Sequence, residues 1–182
     1  GADHCHSLHD TGLAAANEDG FNPFGGLRGV GVFEPIPLED LGPQKVRAFK
    51  ASQIGSVVPN CVSMCTFPGW SAPELTDIVK AATGWDVTDV ELDRVGERAL
   101  NLARTFNMRE GFTVEDDRLC ERAYGPTIGG ALADGGIDRE ELREAIHTYY
   151  AMMGWDKETG APTVEKLEDL GIGWAAQYLP KK

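Results

Sequence analysis

Apolar positions recur at helical spacing along most of the chain after residue 42. The clearest stripe consists of Val95, Ala99, Leu102 and Phe106, which follow one another at intervals of four, three and four residues. This spacing places the four side chains on one face of a helix. It predicts a long helix, ending at about Arg109, with this face turned toward the core.

Three helix starts carry a capping-box pattern, in which a serine, threonine or aspartate precedes a glutamate by three residues. In such a box the first side chain caps the backbone amide of the glutamate, and the glutamate side chain returns to the backbone of the first residue. The pattern begins at Ser71, Thr88 and Asp138. We therefore predict helices over residues 71–84, 88–109 and 138–153.

Two further helices complete the predicted fold. A partial apolar face indicates a helix from Pro43 to Val58, interrupted at Pro59 because proline lacks a backbone donor, and a short helix starts at Thr163. Residues 1–41, rich in Gly, Asn, Asp and Pro, are predicted to be mainly loop, and residues 42–182 helical. Because no alternating run is long enough for a central strand, the predicted fold class is all-α.

Two features predict close packing. Gly96 lies inside the long helix, where glycine costs about 1 kcal/mol relative to alanine. This indicates that another backbone, or a cofactor, approaches there, and helix packing is the commoner explanation. The four tryptophans are interpreted as packing anchors: Trp70, Trp85, Trp155 and Trp174.

The composition favours a packed globular protein and excludes several partners. The 182 residues can form one domain or two small ones, and 42% are hydrophobic. A net charge of −12, with scattered acidic residues, argues against nucleic-acid binding and against an anionic membrane surface. No apolar run reaches the roughly 20 residues that span a bilayer. Four irregularly spaced cysteines indicate cytoplasmic thiols rather than a disulfide scaffold.

Two segments could carry metal chemistry. Cys61 and Cys65 form a C-x3-C pair between Pro59 and Pro68. One pair is a weak metal signal, so on spacing alone two buried, inert thiols are favoured. Residues 3–10 contain three histidines and a cysteine, which are preferred transition-metal ligands. An independent metal site there is an alternative, although one short segment rarely completes a coordination shell.

The stretch 96–121 reads GERALNLARTFNMREGFTVEDDRLCE. It resembles the C-terminal region of the tungsten-dependent aldehyde ferredoxin oxidoreductases, in which a GER…N…R-x-FN-x-REG helix precedes a D-D-x-L turn. The resemblance continues through Tyr149-Tyr150 and Gly154-Trp155-Asp156 to the end of the chain. Since the family's R-G-x-x-H region lies deep inside a longer polypeptide, and this chain begins at Gly1 without a methionine, we expect residues 1–182 to be a C-terminal fragment.

The resemblance implies a cofactor site at residues 60–66. This stretch is similar to a family segment, D-x-x-G-L-C, that contacts a pterin and ends in a cluster cysteine. Asn60 takes the aspartate position, Ser63 the glycine, Met64 the leucine and Cys65 the cysteine. Cys65 is therefore expected to be one ligand of a [4Fe-4S] cluster, and the family's other three come from an upstream C-x2-C-x3-C run that this chain lacks. Asn60, Met64 and Thr66 are expected to bind the pterin.

The first residues are implied to lie beside the metal. In the family, the histidine of R-G-x-x-H is proposed to move protons near the tungsten, and the residue two positions later contacts a pterin. His4 takes the first role, His6 the second, and Gly1 is expected to contact the cofactor. An imidazole titrates near pH 6.5, about the range that proton transfer needs. The cofactor would be a tungsten or molybdenum bis-pterin.

The function implied is the oxidation of aldehydes to carboxylic acids with ferredoxin as electron acceptor. The expected partners are ferredoxin, an aldehyde, the N-terminal remainder of the enzyme and a second copy in a homodimer. One alternative is a related tungsten enzyme, such as a reductase of aromatic acyl thioesters. Another is a helical binding or assembly subunit that has lost the chemistry.

Overall fold

A computed structural model describes residues 28–34, 36–37, 39–129 and 133–180. Within these ranges the regular structure is helical and contains no strand, so the all-α prediction is confirmed. The α-helices are α1 (Pro43–Cys61), α2 (Ala72–Thr83), α3 (Asp89–Arg109), α4 (Arg139–Met153) and α5 (Val164–Asp169). The 3-10 helices are Arg28–Val30, Val114–Asp116, Glu121–Tyr124 and Gly173–Tyr178. No helix within the described ranges is long and apolar enough to cross a membrane.

The predicted helix starts are confirmed by their caps. The Ser71 hydroxyl accepts a hydrogen bond from the Glu74 amide at 3.4 Å, and the Glu74 carboxylate accepts from the Ser71 amide at 2.8 Å. Thr88 and Glu91 make the same reciprocal pair at 3.2 and 2.8 Å. The Asp138 carboxylate accepts from two first-turn amides of α4 at 2.8 and 2.9 Å. Each cap satisfies amides that the helix leaves without an internal partner.

The prediction that the first helix is interrupted at Pro59 is wrong. The helix contains Pro59 and ends two residues later, at Cys61. Proline removes one backbone donor from a helix, and in the last turn that loss involves a single hydrogen bond. The helix therefore tolerates Pro59 at this position and does not stop before it.

The buried face of α3 also differs from the predicted stripe. Phe106 is 54% exposed, and the other three stripe residues are only half-buried. The buried positions of α3 are Leu92, Gly96, Glu97, Asn101, Arg104, Thr105 and Met108. Asn101 donates to the Glu97 carbonyl at 2.8 Å, and Thr105 donates to the Asn101 carbonyl at 2.9 Å. Because helix carbonyls satisfy these side chains, polar residues can occupy the buried face.

The chain divides into two compact units. The first comprises residues up to Ala51 together with Thr113–Gly160, and the second comprises Ser52–Phe112 together with the residues from Ala161 onward. Helix α1 contributes its first half to one unit and its second half to the other.

The first unit has a small aliphatic core and a set of aromatic contacts. Val32 packs with Ala48 of α1 in a buried cluster. The ring centroids of Phe49 and Tyr149 lie 5.7 Å apart, and those of Tyr149 and Trp155 lie 5.6 Å apart in an edge-to-face arrangement. Such aromatic pairs stabilise the packing beyond their buried area.

The second unit has two hydrophobic clusters. Val58 of α1, Leu75 and Val79 of α2 and Leu92 of α3 form the first cluster. The second cluster joins α5 to the C-terminal 3-10 helix and consists of Leu167, Leu170, Ile172 and Ala175. Lys166 and Glu97 bridge α5 and α3 with a partly buried ion pair at 3.0 Å.

Gly96 marks the closest approach of α1 and α3. A β-carbon placed on Gly96 would lie 2.6 Å from the Ile54 carbonyl oxygen and 3.2 Å from a methyl group of Val58. The prediction that another backbone packs against Gly96 is therefore confirmed, and that backbone belongs to α1.

Candidate functional site

A tight turn after α1 carries the residues that the sequence assigns to the cofactors. The amides of Ser63 and Met64 donate back to the carbonyls of Asn60 and Pro59 at 3.2 and 2.8 Å. These bonds close the end of the helix and reverse the chain direction. The turn then presents Cys65 on the surface of the second unit.

Ser63 adopts a left-handed backbone conformation, with φ of 58°, unlike every other non-glycine residue that the structure describes. Side chains with a β-carbon pay about 1–2 kcal/mol in this region, whereas glycine enters it freely. The family pattern has glycine at the position of Ser63. A left-handed backbone at this position is one that glycine adopts without strain.

Cys65 is a free thiol on an exposed loop that two hydrogen bonds hold closed. The indole Nε1 of Trp70 donates to the Cys65 carbonyl at 2.8 Å. The Gly69 amide donates to the Thr66 carbonyl at 3.1 Å. Cys65 itself is exposed and forms no disulfide. An accessible thiol on a fixed loop fits the requirement for one protein ligand of an iron-sulfur cluster.

Cys61 is also exposed, so the spacing-based interpretation of two buried thiols is wrong. Cys61 is the last residue of α1 and Cys65 belongs to the turn, and neither is among the described residues that form or pack against the first hydrophobic cluster of the second unit. Partial burial raises the pKa of the Cys61 thiol and favours its protonated form. A protonated thiol is a poorer metal ligand than a thiolate.

The other predicted cofactor residues have different surroundings. Asn60 and Thr66 are exposed on the same turn as Cys65, whereas Met64 packs against the hydrophobic cluster of the second unit. A cofactor contact by Met64 would therefore use its backbone. Gly1, His4 and His6, with the rest of the histidine-rich segment, lie outside the described residues. Within the described ranges no three His, Cys, Asp or Glu side chains form a metal-binding group.

The hydrogen bond from Trp70 to the Cys65 carbonyl was not predicted from the sequence. Trp70, Trp85 and Trp174 are 36%, 68% and 60% exposed, so they are not packing anchors, while Trp155 is buried as predicted. The available signal was the position of Trp70, one residue after the Pro68-Gly69 turn. Such a turn brings the following side chain back toward the residues that precede it.

A cavity of about 260 Å³ lies in the first unit between α4 and the 3-10 helices before it. Its walls mix cationic and acidic side chains, among them Arg118, Arg143, Lys157, Glu115 and Glu158. Nothing in this mixture selects one charge of ligand, and no sequence pattern predicts the cavity.

Arg139 fixes one wall of that cavity. Its guanidinium lies 3.8 Å from the centroid of the Tyr124 ring and pairs with the Glu121 carboxylate. This pairing lowers the pKa of Glu121, first through the hydrogen bond and then through the charge of Arg139. The Tyr150 hydroxyl donates to the Asp117 carboxylate on the same side of the unit.

The all-α fold and the turn that carries Cys65 together characterise a class of protein. Comparison with known families identifies that class. The family model described as aldehyde ferredoxin oxidoreductase, domains 2 and 3, matches residues 1–172. The chain therefore belongs to the aldehyde ferredoxin oxidoreductase family, a family of oxidoreductases.

Individual relatives agree with this assignment. Tungsten-containing aldehyde ferredoxin oxidoreductases of Pyrococcus furiosus and Pyrococcus horikoshii are 31% and 30% identical over 136 residues, which is 73% of this chain. The aliphatic sulfonate oxidoreductase, WOR-like subunit, of Pyrococcus furiosus is 30% identical over 152 residues, or 80% of this chain. The chain spans about a fifth of the length of these relatives, 22% to 23%.

Proposed function

We propose that this chain is the C-terminal part of an enzyme that oxidises aldehydes to carboxylic acids and delivers the electrons to ferredoxin. The observation that carries the proposal is Cys65, an exposed thiol on a turn whose left-handed residue, Ser63, stands at the family's glycine position. Cys65 would supply one ligand of a [4Fe-4S] cluster. Three upstream cysteines of the family's C-x2-C-x3-C run would supply the others.

The reaction fixes what the protein has to provide. Oxidation of an aldehyde to a carboxylic acid consumes one water and releases two electrons and two protons. A tungsten or molybdenum bis-pterin supplies the two-electron couple when bound. His4, at the histidine position of R-G-x-x-H, would accept a proton from the hydrated substrate, since an imidazole titrates at about pH 6.5.

The remaining roles concern orientation of the cofactor. Asn60 and Thr66 are exposed polar residues beside Cys65, and this arrangement supports their assignment as hydrogen-bonding partners of a pterin. Asn60 would bind a ring edge without the negative charge of the family's aspartate. Gly1 and His6 are assigned by resemblance to the same cofactor, and Met64 would contribute through its backbone.

The surface of the second unit supports a partner that covers it. The side chains of Phe67, Phe106, Trp174 and Tyr178 are 97%, 54%, 60% and 43% exposed. Arg109 lies against the rings of both Phe106 and Tyr178, and Tyr178 contacts Trp174, so these three rings form one exposed patch. Contiguous exposed apolar patches are typical of interaction surfaces. We assign part of this surface to the N-terminal remainder of the enzyme, and we retain ferredoxin and a second copy as further partners. The free thiols of the described cysteines support a cytoplasmic location.

Two serine variants of the full-length enzyme test the role of Cys65. Cys65→Ser should remove a cluster ligand and abolish aldehyde-dependent reduction of ferredoxin. Cys61→Ser, four residues away, should retain the cluster and the activity, because we assign Cys61 no ligand role. The proposal would be contradicted if Cys65→Ser kept both its iron content and its activity.

The sulfonate relative supports a second candidate substrate. Its identity to this chain equals that of the aldehyde enzymes, and the match covers more of the chain. The same electron-transfer scaffold could therefore serve the oxidation of an aliphatic sulfonate. Assays of the purified enzyme with aliphatic aldehydes, aromatic aldehydes and alkyl sulfonates would distinguish the two, with the aldehydes expected to give the higher kcat/KM.

A further inference from the structure

We infer that Trp70 is a positioning residue for the cluster ligand Cys65. The inference rests on the proposed function, because it concerns the cluster to which Cys65 would bind. Its basis is the hydrogen bond from the indole Nε1 of Trp70 to the Cys65 carbonyl, 2.8 Å long. This bond joins the Trp70 side chain to the backbone of Cys65, five residues earlier, across the loop between them.

The rest of the loop leaves the Cys65 peptide with few other restraints. Before Cys65, the last backbone hydrogen bond of the turn belongs to the Met64 amide, at 2.8 Å. After it, the Gly69 amide donates to Thr66 at 3.1 Å, which closes the turn but does not hold the Cys65 carbonyl. Trp70 is thus the group that fixes the plane of the Cys65–Thr66 peptide.

The orientation of this peptide decides where the Cys65 sulfur can reach. The thiol is exposed, so the hydrophobic core does not hold its side chain in place. A metal ligand whose outer partners are removed binds its metal about 10- to 100-fold more weakly, because the ligand must then be ordered when the metal binds. Trp70 would therefore pre-organise Cys65 for the cluster.

Trp70→Phe in the full-length enzyme, purified without oxygen, tests this role. Phenylalanine keeps an aromatic ring and removes the N–H donor. We expect iron to pass to a chelator about tenfold faster than in the wild type, and the electron paramagnetic resonance spectrum of the reduced cluster to change shape. The tungsten or molybdenum content should stay that of the wild type, which would show that the protein is still folded around its other cofactor.

Trp85→Phe is the matched control. Trp85 lies in the same unit and is 68% exposed, and its indole nitrogen makes no hydrogen bond to any residue that the structure describes. This variant should release iron at the wild-type rate with an unchanged spectrum. If Trp70→Phe behaved as Trp85→Phe does, the inference would be overturned.

A third variant separates failure of this inference from failure of the proposed function. If the wild-type enzyme held no cluster, or if Cys65→Ser kept a complete one, the proposed site itself would be wrong and the inference with it. If Cys65→Ser lost the cluster while Trp70→Phe kept the wild-type release rate and spectrum, only the role of Trp70 would be wrong.

Discussion

The backbone of Ser63 is the feature of the turn that a single substitution tests best. Ser63→Gly should stabilise the protein by roughly 0.5–1 kcal/mol, because relief of left-handed strain, about 1–2 kcal/mol, exceeds the added entropy of the unfolded glycine, about 0.5–1 kcal/mol. The midpoint of denaturant unfolding would measure the change.

Ser56→Gly provides the control for this substitution. Ser56 lies inside α1, and its hydroxyl donates to the Gln53 carbonyl at 2.9 Å. The same chemical change should here destabilise the protein by at least about 0.5–1 kcal/mol. Equal changes in stability for Ser63→Gly and Ser56→Gly would contradict the left-handed conformation of Ser63.

The site residues were predictable from the sequence only through the family resemblance. Spacing alone favoured buried thiols for Cys61 and Cys65, and both are exposed. Exposure depends on which side chains the neighbouring helices bury, and the first cluster of the second unit is filled by Val58, Leu75 and their partners. The spacing of two cysteines carries no information about which neighbouring side chains the helices bury. The hydrogen bond of Trp70 was unpredictable for the same reason.

At the scale of elements, the contact between α1 and α3 predicts opposite effects of one substitution at two glycines. Gly96→Ala should destabilise the protein by about 1–3 kcal/mol, because its β-carbon would lie 2.6 Å from the Ile54 carbonyl and the helices would have to separate. Denaturant unfolding would measure the difference from the wild type.

Gly55→Ala is the matched variant. Gly55 lies inside α1, and apart from the adjacent residues and backbone of α1 itself, no atom of the described residues lies within 4 Å of where its β-carbon would be. Alanine should there stabilise the helix by about 0.5–1 kcal/mol. A stabilised Gly96→Ala variant would mean that the two helices do not meet at this point.

The capping box of α3 predicts a dependence of stability on pH. The backbone hydrogen bond from Thr88, followed by the bond from its hydroxyl, lowers the pKa of Glu91. Because the pKa is lower in the folded state, Glu91 stabilises the protein fully above its ordinary pKa of about 4.3. That contribution is lost as the pH falls through the lowered folded pKa.

Glu91→Gln should remove this part of the pH dependence and flatten the stability curve below about pH 4. Glu165→Gln is the control, since Glu165 also lies in a first turn, that of α5, but its carboxylate makes no hydrogen bond within the described part of the chain. Unfolding midpoints between pH 2.5 and 7 would compare the two variants with the wild type. Parallel curves for wild type and Glu91→Gln would contradict the cap.

The helices were predictable from the sequence where local chemistry decides them. The starts at Ser71, Thr88 and Asp138 follow from side chains that cap amides three residues away at most. The buried face of α3 was not predictable in this way. Phe106 has the spacing of a core residue, but the cluster of α5 and the C-terminal 3-10 helix packs against Leu102, one turn earlier in the same stripe, and Phe106 stays 54% exposed. Tertiary packing overrode the periodicity.

For the whole molecule, the division into two units falls between helices at residues 112–113 and 160–161, but inside α1 at residues 51–52. Each unit holds its own buried cluster, and α1 supplies residues to both, with Ala48 in the first and Val58 in the second. The candidate cofactor turn belongs to the second unit, immediately after α1 ends. Family membership is established for the chain as a whole.

We propose that this chain contributes to a tungsten or molybdenum and iron-sulfur enzyme. The decisive measurement is the tungsten, molybdenum, iron and acid-labile sulfide content of the natural protein, purified without oxygen from its source. We predict about four irons and four sulfides per polypeptide, as a [4Fe-4S] cluster requires, together with one tungsten or molybdenum. A metal-free protein would contradict the claim and would favour a helical subunit for binding or assembly.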